Sequence, residues 1–468
     1  MLILGFQRIL QEHALLKHLL KFGINNMSSN QDTPQPLSVY KSKALTGSIR
    51  VPGDKSISHR ALMLGALAFG KTRITGLLEG DDVLATAAAM RAMGAEILRL
   101  GEGQWQVEGA GLGGLAEPEN VLDMGNAGTG VRLLMGVVAG HPITATFTGD
   151  TSLRGRPMQR IIDPIKGAGA QVISRSGGRL PLTVKGSIQP LAQDYRLPMA
   201  SAQVKSAALF AGLLAPGVTR VIEPQASRDH SENMLRHFGA NVAINQEKHA
   251  RIIELHGQGE LRGADVIVAS DPSSAAFPMV AALLVPGSQV TLHAVGMNPL
   301  RIGLLTTLLE MGANIEITDQ RIEGGEPIAT LIVKSSELRA VDVPAERVPS
   351  MIDEFPILSV AAACAQGVTR MTGLEELRYK ESDRLAVMAE GLHACGVCLE
   401  KGRDWINITG GKIKGGASVK TRLDHRIAMS FAVLGLVSEE GIQIDDARPI
   451  ATSFPSFITI MRQLGAAL

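Results

Sequence analysis

The hydrophobic pattern of this chain repeats six times. Each repeat contains an apolar helical stretch rich in small residues, then a glycine, a short β-branched segment and a polar loop. The six glycines stand 70 to 80 residues apart, at Gly70, Gly140, Gly217, Gly287, Gly367 and Gly441. Solenoid repeats are shorter, at about 20–50 residues. The period therefore predicts six compact βα-type units, each with two helices.

A second pattern marks the end of the other helix in each unit. A hydrophobic helix end leads into Gly-Ala, or a similar pair, and then into a strand pattern. It is written RAMGAEI at 91–97 and recurs at 166–173, 236–244, 309–317, 393–399 and 462–468. Because helices often end at a glycine, this recurrence predicts one α/β unit that is copied six times.

The first 30 or so residues do not join the repeat. Residues 1–26 have helical spacing, but polar and charged side chains run through them, unlike the core of a secretory signal. They are either a loosely docked amphipathic helix or an extension that precedes a true initiator at Met27. The stretch SSNQDTPQP at 28–36 is typical of a linker, and we expect no catalytic role for this segment.

Composition excludes several classes of protein. The chain has 468 residues, which favours two or three domains, and its net charge of +1 gives no basic field for nucleic acid. Only 3% of residues are aromatic, too few for base-stacking platforms. No apolar run approaches the roughly 18 residues of a membrane span. The three cysteines, Cys364, Cys395 and Cys398, lack zinc-ligand spacing and are expected to be free thiols in a reducing compartment.

Two generic nucleotide-binding patterns fail on their context. GALAFGKT at 65–72 matches a phosphate-loop pattern, but it runs from a helix into a strand, whereas a phosphate loop runs from a strand into a helix. We interpret Gly70 as the capping glycine of that helix. GAGLGG at 109–114 is followed by AEPEN rather than by an apolar helix, and is typical of a turn.

The starts of the six apolar helices carry the chemical signal. Asp54, Asn126, Ser201 and Asp424 are ordinary N-cap residue types. Cations also lie in or near these first turns, where they oppose the helix macrodipole: Lys55, Arg60, Arg132, Lys205 and Arg426. An anion held between helix amides and cationic side chains would explain them. If the six helix starts converge, the sequence predicts one cleft for highly anionic small molecules.

Eight stretches follow one another along the chain: GDKSISHRALM, GNAGTGVRLLMG, LRGRPMQR, LPMASAQVKSAALFAGLL, SRDHSENMLRHFG, SMIDEFPIL, LRYKESDRL and DHRIAM. They closely resemble, in matching order, the motifs of the EPSP synthase (3-phosphoshikimate 1-carboxyvinyltransferase) family. The resemblance runs from about residue 39 to residue 468. It implies an α/β fold of two domains, a two-domain inside-out α/β barrel with three βαβαββ-like repeats in each domain. The expected first lobe is 39–53 plus 271–468, the second lobe is 54–270, and 1–38 is an extension and linker.

The resemblance also implies a reaction. The enolpyruvyl group of phosphoenolpyruvate moves to the 5-hydroxyl of shikimate 3-phosphate, and inorganic phosphate leaves, by addition and elimination in an interdomain cleft. Both substrates carry a phosphate and a carboxylate, so four anionic groups need cationic partners. No metal, redox cofactor or covalent nucleophile is required, and the implied protein is a cytoplasmic monomer that binds neither nucleic acid nor membranes.

Matching motifs imply the binding residues. The residues expected to bind shikimate 3-phosphate are Lys55, Ser56, Arg60, Ser201, Ala202, Gln203, Ser227, Arg228, Asp353 and Lys380. The residues expected to bind phosphoenolpyruvate are Lys55, Asn126, Gly128, Thr129, Arg156, Gln203, Arg384 and Arg426. Lys380 and Arg384 have i, i+4 spacing, and on one helix face such like charges favour a bridging anion.

Three residues are the candidates for proton transfer. Asp353 matches the family's base for the 5-hydroxyl, although Asp353-Glu354 is also a favourable acidic helix start. Glu381 is the candidate for proton exchange at the methylene carbon, with Lys55 as the alternative. His425 is either a structural hydrogen-bonding residue or part of this site.

Some residues depart from the family pattern, and they bear on the subclass of the chain and on alternative functions. The lysine that many members have before the final Phe-Pro is absent from Ala451-Thr452-Ser453-Phe454-Pro455. Several motifs resemble the family's second class, which is often tolerant of glyphosate. Two features depart from that class: Asn298-Pro299-Leu300-Arg301 differs from its Asn-x-Thr-Arg, and the small residue Gly128 is associated with sensitivity. Both tolerance and sensitivity to glyphosate therefore stay open at this point. The sister transferase acting on UDP-N-acetylglucosamine uses a cysteine in a loop where 148–158 has none. An RNA-end-processing enzyme or a noncatalytic binding protein is the rival of another class.

Overall fold

The computed structural model describes residues 33–247 and 250–468. The helix or extension predicted for residues 1–26 lies outside this described part. The elements up to residue 185 are β1 (Leu37–Val39), β2 (Thr46–Ile49), α1 (Lys55–Leu67), β3 (Phe69–Thr75), α2 (Asp81–Ala92), β4 (Glu96–Gly101), β5 (Gln104–Ala110), β6 (Leu122–Asp123), α3 (Gly128–Ala139), β7 (Thr144–Thr148), α4 (Thr151–Gly155), α5 (Gln159–Gly167), β8 (Gln171–Arg175) and β9 (Arg179–Lys185).

The remaining elements repeat the same alternation. They are β10 (Asp194–Arg196), α6 (Ala202–Ala211), β11 (Val218–Glu223), α7 (His230–His237), β12 (Val242–Glu247), β13 (Ala250–His256), β14 (Asp265–Ile267), α8 (Pro272–Leu284), β15 (Gln289–Gly296), α9 (Gly303–Glu310), β16 (Asn314–Glu323), β17 (Glu326–Lys334), β18 (Asp342–Val343), α10 (Phe355–Cys364), β19 (Val368–Met371), α11 (Arg384–Ala394), β20 (Cys398–Lys401), β21 (Ile406–Thr409), β22 (Ala417–Val419), α12 (His425–Gly435), β23 (Ile442–Ile444) and α13 (Phe457–Gln463). Three 3₁₀ helices cover Ala345–Ser350, Glu375–Tyr379 and Arg448–Thr452.

The strands form six sheets, and five of these sheets share one plan. Five have four strands, in the orders β14-β3-β5-β4, β6-β7-β9-β8, β10-β11-β13-β12, β16-β17-β15-β2 and β18-β19-β21-β20. Each of these five sheets has one parallel pair and an antiparallel hairpin. In three sheets the parallel strands flank an apolar helix, as β6 and β7, β10 and β11, and β18 and β19 do. In the other two the parallel partners, β3 with β14 and β15 with β2, are distant in the sequence. The predicted six α/β units are therefore present.

The sixth unit departs from this plan. Its sheet has three strands in the order β1-β23-β22, and the antiparallel partner of β23 is β1 from the other end of the described chain. No strand follows α13 in the described residues, although the Gly-Ala pattern at 462–468 predicted one. The first strand, β1, begins at Leu37, inside the range 1–38 that was predicted as extension and linker.

The repeated Gly-Ala pattern has a single structural cause. The glycines Gly94, Gly169, Gly239, Gly312, Gly396 and Gly465 all have φ between +87° and +99°. After α2, the amide of Ala95 bonds to Met90 O at 3.1 Å and that of Gly94 to Arg91 O at 2.9 Å, which is the Schellman arrangement. Only glycine adopts this backbone without strain. The first pattern differs: α1 ends at Leu67 with Ala68 as C-cap, so Gly70 lies inside β3 and is not the predicted cap.

The buried apolar side chains form two large clusters. One cluster draws on residues 57–268, and the other on 37–51 and 275–466. The apolar helices α1, α3 and α6 lie in the first cluster, and α8, α10 and α12 lie in the second. The fold is thus a two-domain inside-out α/β fold, with helices central and sheets around them.

The chain passes between the clusters twice, side by side. The amide of Asp54 donates to Ala269 O at 2.8 Å, and the amide of Asp271 donates to Pro52 O at 2.9 Å. The helices α1 and α8 begin directly after these two segments. The starts of one apolar helix from each lobe are therefore held together at the crossing.

Candidate active site

Asp353 lies at the centre of charges supplied by both lobes. Its Oδ2 accepts from Arg228 of the second lobe at 2.7 Å, and its Oδ1 lies 3.1 Å from Lys380 and 3.2 Å from Arg384 of the first lobe. Arg426 donates to its backbone oxygen at 3.2 Å. Burial acts to raise the pKa of Asp353, but these four cations outweigh it and hold the pKa well below its usual range.

Arg384 binds three carboxylates at once and is almost fully buried. Its guanidinium donates to Asp424 at 2.9 Å, to Asp353 at 3.2 Å and to Glu381 at 2.5 Å. Burial opposes the charge of Arg384, but the carboxylates prevail and raise its pKa. Arg384 therefore fixes the relative positions of Asp353 and Glu381, the two acidic candidates for proton transfer.

Glu381 faces the second lobe as well. Its Oε1 lies 3.9 Å from Arg156, and its backbone oxygen accepts from Ser152 at 3.5 Å. Burial acts to raise the pKa of Glu381, yet the charges of Arg384 and then Arg156 hold it well below its usual range. Both acidic candidates are therefore ionised at neutral pH.

The loop before α3 positions Arg156. Asn126 accepts from Arg156 at 2.6 Å and donates to Asp150 at 2.6 Å, and Ser152 also accepts from Arg156 at 3.1 Å. The residue that caps α3 is Ala127, so the prediction that Asn126 is an N-cap is wrong. Its amide instead holds a cation that the sequence predicts to bind substrate.

Gly128 leaves room for two guanidinium groups. A Cβ at this position would lie 2.8 Å from Arg156 Nη1 and 3.0 Å from Arg132 Nη1. Burial, followed by the charge of Arg156, lowers the pKa of Arg132 to about 10. Two neighbouring cations, Arg156 buried and Arg132 half-buried, favour an anion between them.

Lys55 lies at the start of α1 and pairs with Asp82 of α2 at 2.5 Å. Its charge helps to lower the pKa of both Glu381 and His425, so it lies near the first-lobe groups. His425 is buried, and its Nδ1 lies 3.5 Å from Thr452 Oγ1. Burial, followed by the charge of Lys55, holds the pKa of His425 well below its usual range.

The start of α6 follows the sequence prediction. Ser201 is the N-cap and accepts from the amide of Val204 at 3.4 Å, and Ala202 is the first helical residue. Gln203 donates to Thr129 at 3.0 Å. This bond joins two segments that the resemblance assigns to substrate binding.

Lys205 does not face an anion-binding cleft, so that expectation is wrong. Its side chain is fully buried, and its ammonium lies 2.9 Å from Glu223 and 2.8 Å from Glu232. It also donates to Ser227 O at 3.2 Å, while the Ser227 hydroxyl donates to Glu223. The carboxylates on β11 and α7 explain the cation, which holds the loop that leads to Arg228.

Arg60 is also enclosed within the second lobe. It donates to Ser231 at 2.7 Å, to Ser206 at 2.9 Å and to the backbone oxygen of Ser56 at 2.8 Å. Burial is the main cause that lowers its pKa to about 10. No carboxylate is within hydrogen-bond range of it in the described structure, so Arg60 keeps a charge that a nearby anion could use.

Lys380 and Arg384 do not lie on one helix face, because Lys380 follows a 3₁₀ helix and Arg384 is the first residue of α11. They still bind the same oxygen, Asp353 Oδ1. Three roles were not predicted from the sequence: those of Asp82 and Arg301, and that of Asp424 as a partner of Arg384. An acidic residue in a first helical turn carries no distinguishing signal, because it suits the macrodipole.

In the described ranges, 33–247 and 250–468, no group of three or more metal-ligating side chains is present. The helices of the same ranges are too short or too polar to cross a bilayer.

Comparisons with known proteins identify the family of this chain. A family profile described as EPSP synthase (3-phosphoshikimate 1-carboxyvinyltransferase) matches residues 39–461. The 3-phosphoshikimate 1-carboxyvinyltransferase of Rhodospirillum rubrum is 61% identical over 442 residues, covering 93% of this chain and 98% of the relative. That of Methylorubrum populi is 59% identical over 446 residues, covering 94% and 98%.

Solved structures show the same relationship. The EPSP synthase from Acinetobacter baumannii superposes with a TM-score of 0.82 at 45% identity, covering 92% of this chain and 98% of that one. The enolpyruvyl transferase NikO from Streptomyces tendae, at 18% identity, has a TM-score of 0.72 over 93% of this chain and 98% of that one, and shows the fold alone.

These matches, which span most of the chain, identify the class of protein as an enolpyruvyl transferase. The chain belongs to the EPSP synthase family. Its reaction is the transfer of the enolpyruvyl group from phosphoenolpyruvate to shikimate 3-phosphate, a step of aromatic amino acid biosynthesis.

Proposed function

We propose that the transfer takes place between the two lobes, around Asp353, in the cytoplasm and within a single chain. The observation that carries this proposal is the pairing of Asp353 with Arg228 of the second lobe and with Lys380 and Arg384 of the first. The two lobes thus contribute charge to one place, as a site that closes on its substrates requires.

Each substrate is held by cationic side chains together with neighbouring polar and small residues. Shikimate 3-phosphate is bound by Lys55, Ser56, Arg60, Ser201, Ala202, Gln203, Ser227, Arg228, Asp353 and Lys380. Phosphoenolpyruvate is bound by Lys55, Asn126, Gly128, Thr129, Arg156, Gln203, Arg384 and Arg426. Support comes from the close pair Arg132 and Arg156, whose mutual repulsion an anion would relieve. In this assignment Arg60 and Ser227 act from the side of the second lobe, since both are buried there.

The chemistry needs two proton carriers. A proton is added to the methylene carbon C3 of phosphoenolpyruvate, which leaves cationic character at C2. The 5-hydroxyl oxygen of shikimate 3-phosphate then bonds to C2 and gives up its proton to a base. In the second stage C3 returns a proton, the C2–C3 double bond forms again, and the C2–O bond to phosphate breaks. Cationic side chains stabilise the phosphate as it leaves.

Asp353 is the base for the hydroxyl, and Glu381 exchanges the proton at carbon, with Lys55 as its alternative. Because Glu381 is ionised in the free protein, it must first take up a proton from solvent as phosphoenolpyruvate binds, and it then donates that proton to C3. In the structure without substrates, Asp353 is a weak base because four cations stabilise its charge. Substrate anions compete for Arg228 and Lys380, and binding them raises the basicity of Asp353. The basicity of Glu381 likewise rises when phosphoenolpyruvate binds Arg156, because the charge of Arg156 then acts on the substrate anion.

The proposal also covers the boundaries of the two lobes, the oligomeric state and the cellular compartment. The first lobe comprises 39–53 and 271–468, the second comprises 54–270, and 1–38 is the extension and linker, of which Leu37 and Ser38 belong to β1. The two buried clusters support this division. A monomer suffices because both lobes of one chain supply the charged groups, and light scattering of the purified protein tests this. Three free cysteines support a reducing cytoplasm.

A phosphate-release assay tests the function. With shikimate 3-phosphate and phosphoenolpyruvate together, we expect turnover in the range typical of enzymes, about 1–10³ s⁻¹. With either substrate alone, or with UDP-N-acetylglucosamine in place of shikimate 3-phosphate, we expect none. Turnover with UDP-N-acetylglucosamine and phosphoenolpyruvate, but none with shikimate 3-phosphate and phosphoenolpyruvate, would overturn the proposal.

The pKa directions predict a pH profile. Asp353 and Glu381 both have a pKa lowered below the ordinary carboxyl range, so both lose their protons at a lower pH than in an unfolded chain. Their contribution to stability is present above the unfolded pKa and is lost only as pH falls through the lower folded pKa. The kcat/KM profile of the free enzyme is therefore expected to show no inflection from the titration of either group between pH 5 and pH 7. Stopped-assay rates across that range, with chemical shifts of the two carboxyl carbons, check this.

Gly128→Ala is expected to impair phosphoenolpyruvate binding selectively. The added Cβ would lie 2.8 Å from Arg156 Nη1, so the guanidinium must move. We expect the KM for phosphoenolpyruvate to rise about 5- to 150-fold, the equivalent of about 1–3 kcal/mol of overpacking, with the KM for shikimate 3-phosphate within twofold. Gly155→Ala is the matched control, because its Cβ would meet nothing within 4 Å. Equal increases in both KM values for Gly128→Ala would contradict this account.

A further inference from the structure

Arg301 is a buried arginine at the crossing between the lobes. It lies just before α9 in the first lobe, and only 4% of its surface is exposed. Its Nη1 donates to Asp54 at 2.8 Å, and its Nη2 donates to Asp271 at 3.1 Å and to Ser273 at 2.9 Å. One guanidinium thus holds two carboxylates that belong to different lobes.

Those carboxylates are the N-caps of two apolar helices. Asp54 accepts from the amide of Ile57 at 2.9 Å at the start of α1, and Asp271 accepts from the amide of Ser273 at 2.9 Å at the start of α8. Both residues directly follow the segments that cross between the lobes. Arg301 therefore fixes the distance between a helix start of the second lobe and a helix start of the first.

Without Arg301 this arrangement would be unfavourable. Burial, followed by the charge of Asp54, raises the pKa of Asp271. Burial also acts to raise the pKa of Asp54, but Arg301 and other cations prevail and lower it. Two buried carboxylates at one place need a shared cation, and a planar guanidinium can bind both through separate nitrogens.

The contacts of Arg301 continue into the site on both sides. Asp54 directly precedes Lys55 on α1. In the first lobe, the Ser273 hydroxyl binds Arg301 and donates to Glu354, whose Oε1 lies 3.5 Å from Arg426. One substrate-binding candidate from each lobe is therefore connected to the same guanidinium.

A second interlobe contact lies beside it. His230 of α7 in the second lobe lies with its Nε2 3.3 Å from Arg301 Nη1, and its Nδ1 lies 2.9 Å from Glu326 of the first lobe. Because a guanidinium only donates, Nε2 accepts here and Nδ1 carries the hydrogen. These contacts are buried and close to the chain crossing, whereas the pair of Arg160 and Glu376, also between lobes, is largely exposed.

We propose that Arg301 is a positioning residue at the pivot between the lobes, which sets the register in which Lys55 and Arg426 meet the substrates. Arg301 touches no reacting group. It acts by holding the starts of α1 and α8 at a fixed separation while the charged groups around Asp353 come together. The proposal rests on the proposed function, because it concerns turnover in that cleft.

Arg301→Lys tests this. Lysine keeps the charge but lacks the fork that reaches Asp54, Asp271 and Ser273 together. We expect kcat to fall at least tenfold, with both KM values within threefold, because each lobe keeps its own ligands and only interactions shared by both lobes lose their alignment. Arg347→Lys is the matched control: Arg347 forks onto Glu310 at 2.5 and 2.6 Å within the first lobe, and its kcat is expected to stay within twofold.

A merely structural role would give another result. In that case thermal stability falls but kcat per folded molecule is unchanged. If Arg301→Lys does not fold, Arg301→Met combined with Asp271→Asn removes one charge of each sign, and the same loss of kcat is expected from the folded double variant. A folded variant with kcat within twofold of the unaltered protein overturns the proposal. Turnover by the unaltered protein tests the proposed function separately, so the two failures are distinguishable.

Discussion

Asp353→Asn is expected to lower kcat by about 10²- to 10⁴-fold, the range that a positioned general base contributes. The KM for phosphoenolpyruvate should change much less, because the base is needed mainly in the transition state. Asparagine keeps the shape of the side chain but cannot take the proton of the 5-hydroxyl. Steady-state phosphate release, with each substrate varied in turn, measures both parameters.

Asp342→Asn is the control for this variant. Asp342 also pairs with an arginine, Arg370 at 3.1 Å, but on the exposed surface of the same lobe, where such pairs contribute little. Its kcat should stay within twofold. If Asp353→Asn instead raises KM by the same factor by which it lowers kcat, Asp353 serves binding and another group is the base.

Arg156→Ala is expected to lower kcat/KM for phosphoenolpyruvate by about 30- to 4,000-fold, which corresponds to about 2–5 kcal/mol for one member of a buried charge pair. Arg156 is 8% exposed, and Asn126 and Ser152 hold it in place. Its removal leaves the substrate anion without the cation that Asn126 aligns. Initial rates at saturating shikimate 3-phosphate give this ratio.

Arg160→Ala separates that effect from general loss of charge between the lobes. Arg160 also bridges to the first lobe, through Glu376 at 3.1 Å, but half of its side chain is exposed. We expect a change of less than threefold, as for other exposed pairs. Similar losses for both arginines would mean that overall attraction between the lobes, and not a local phosphoenolpyruvate site, explains the result for Arg156.

The repeated fold was predictable because its signal is local. Each unit needs a glycine with positive φ after its second helix, and the Gly-Ala pattern records that need in the sequence. The closing strand of the sixth unit was not predictable in this way. It is supplied by β1, more than 400 residues away in the sequence, and no local pattern encodes a pairing at that distance.

The candidate site was predictable in its residue types but not in all of its pairings. Cations at helix starts indicated an anion site, and the family motifs supplied the roles. Lys205 follows the same helix-start pattern as Lys55, yet Glu223 and Glu232 neutralise it inside the lobe. These partners come from other elements, so helix position alone could not separate the two lysines.

The role of Arg301 was also not predictable from the sequence, because its partners are distant in the chain. In the sequence it stands at the end of Asn298-Pro299-Leu300-Arg301, a stretch noted only for its departure from a subclass pattern. Its importance rests on Asp54 and Asp271, which are 247 and 30 residues away. Capping aspartates are common, so their shared partner became visible only in three dimensions.

The central claim, that charges from both lobes enclose the substrates around Asp353, is tested most directly by a crystal structure with shikimate 3-phosphate bound. The account predicts the 5-hydroxyl within about 3.2 Å of an Asp353 carboxylate oxygen, the reach of a general base. It also predicts substrate oxygens on Arg228 and Lys380 in place of their present contacts with Asp353. Shikimate 3-phosphate bound away from Asp353, with the contact between Arg228 and Asp353 intact, would contradict it.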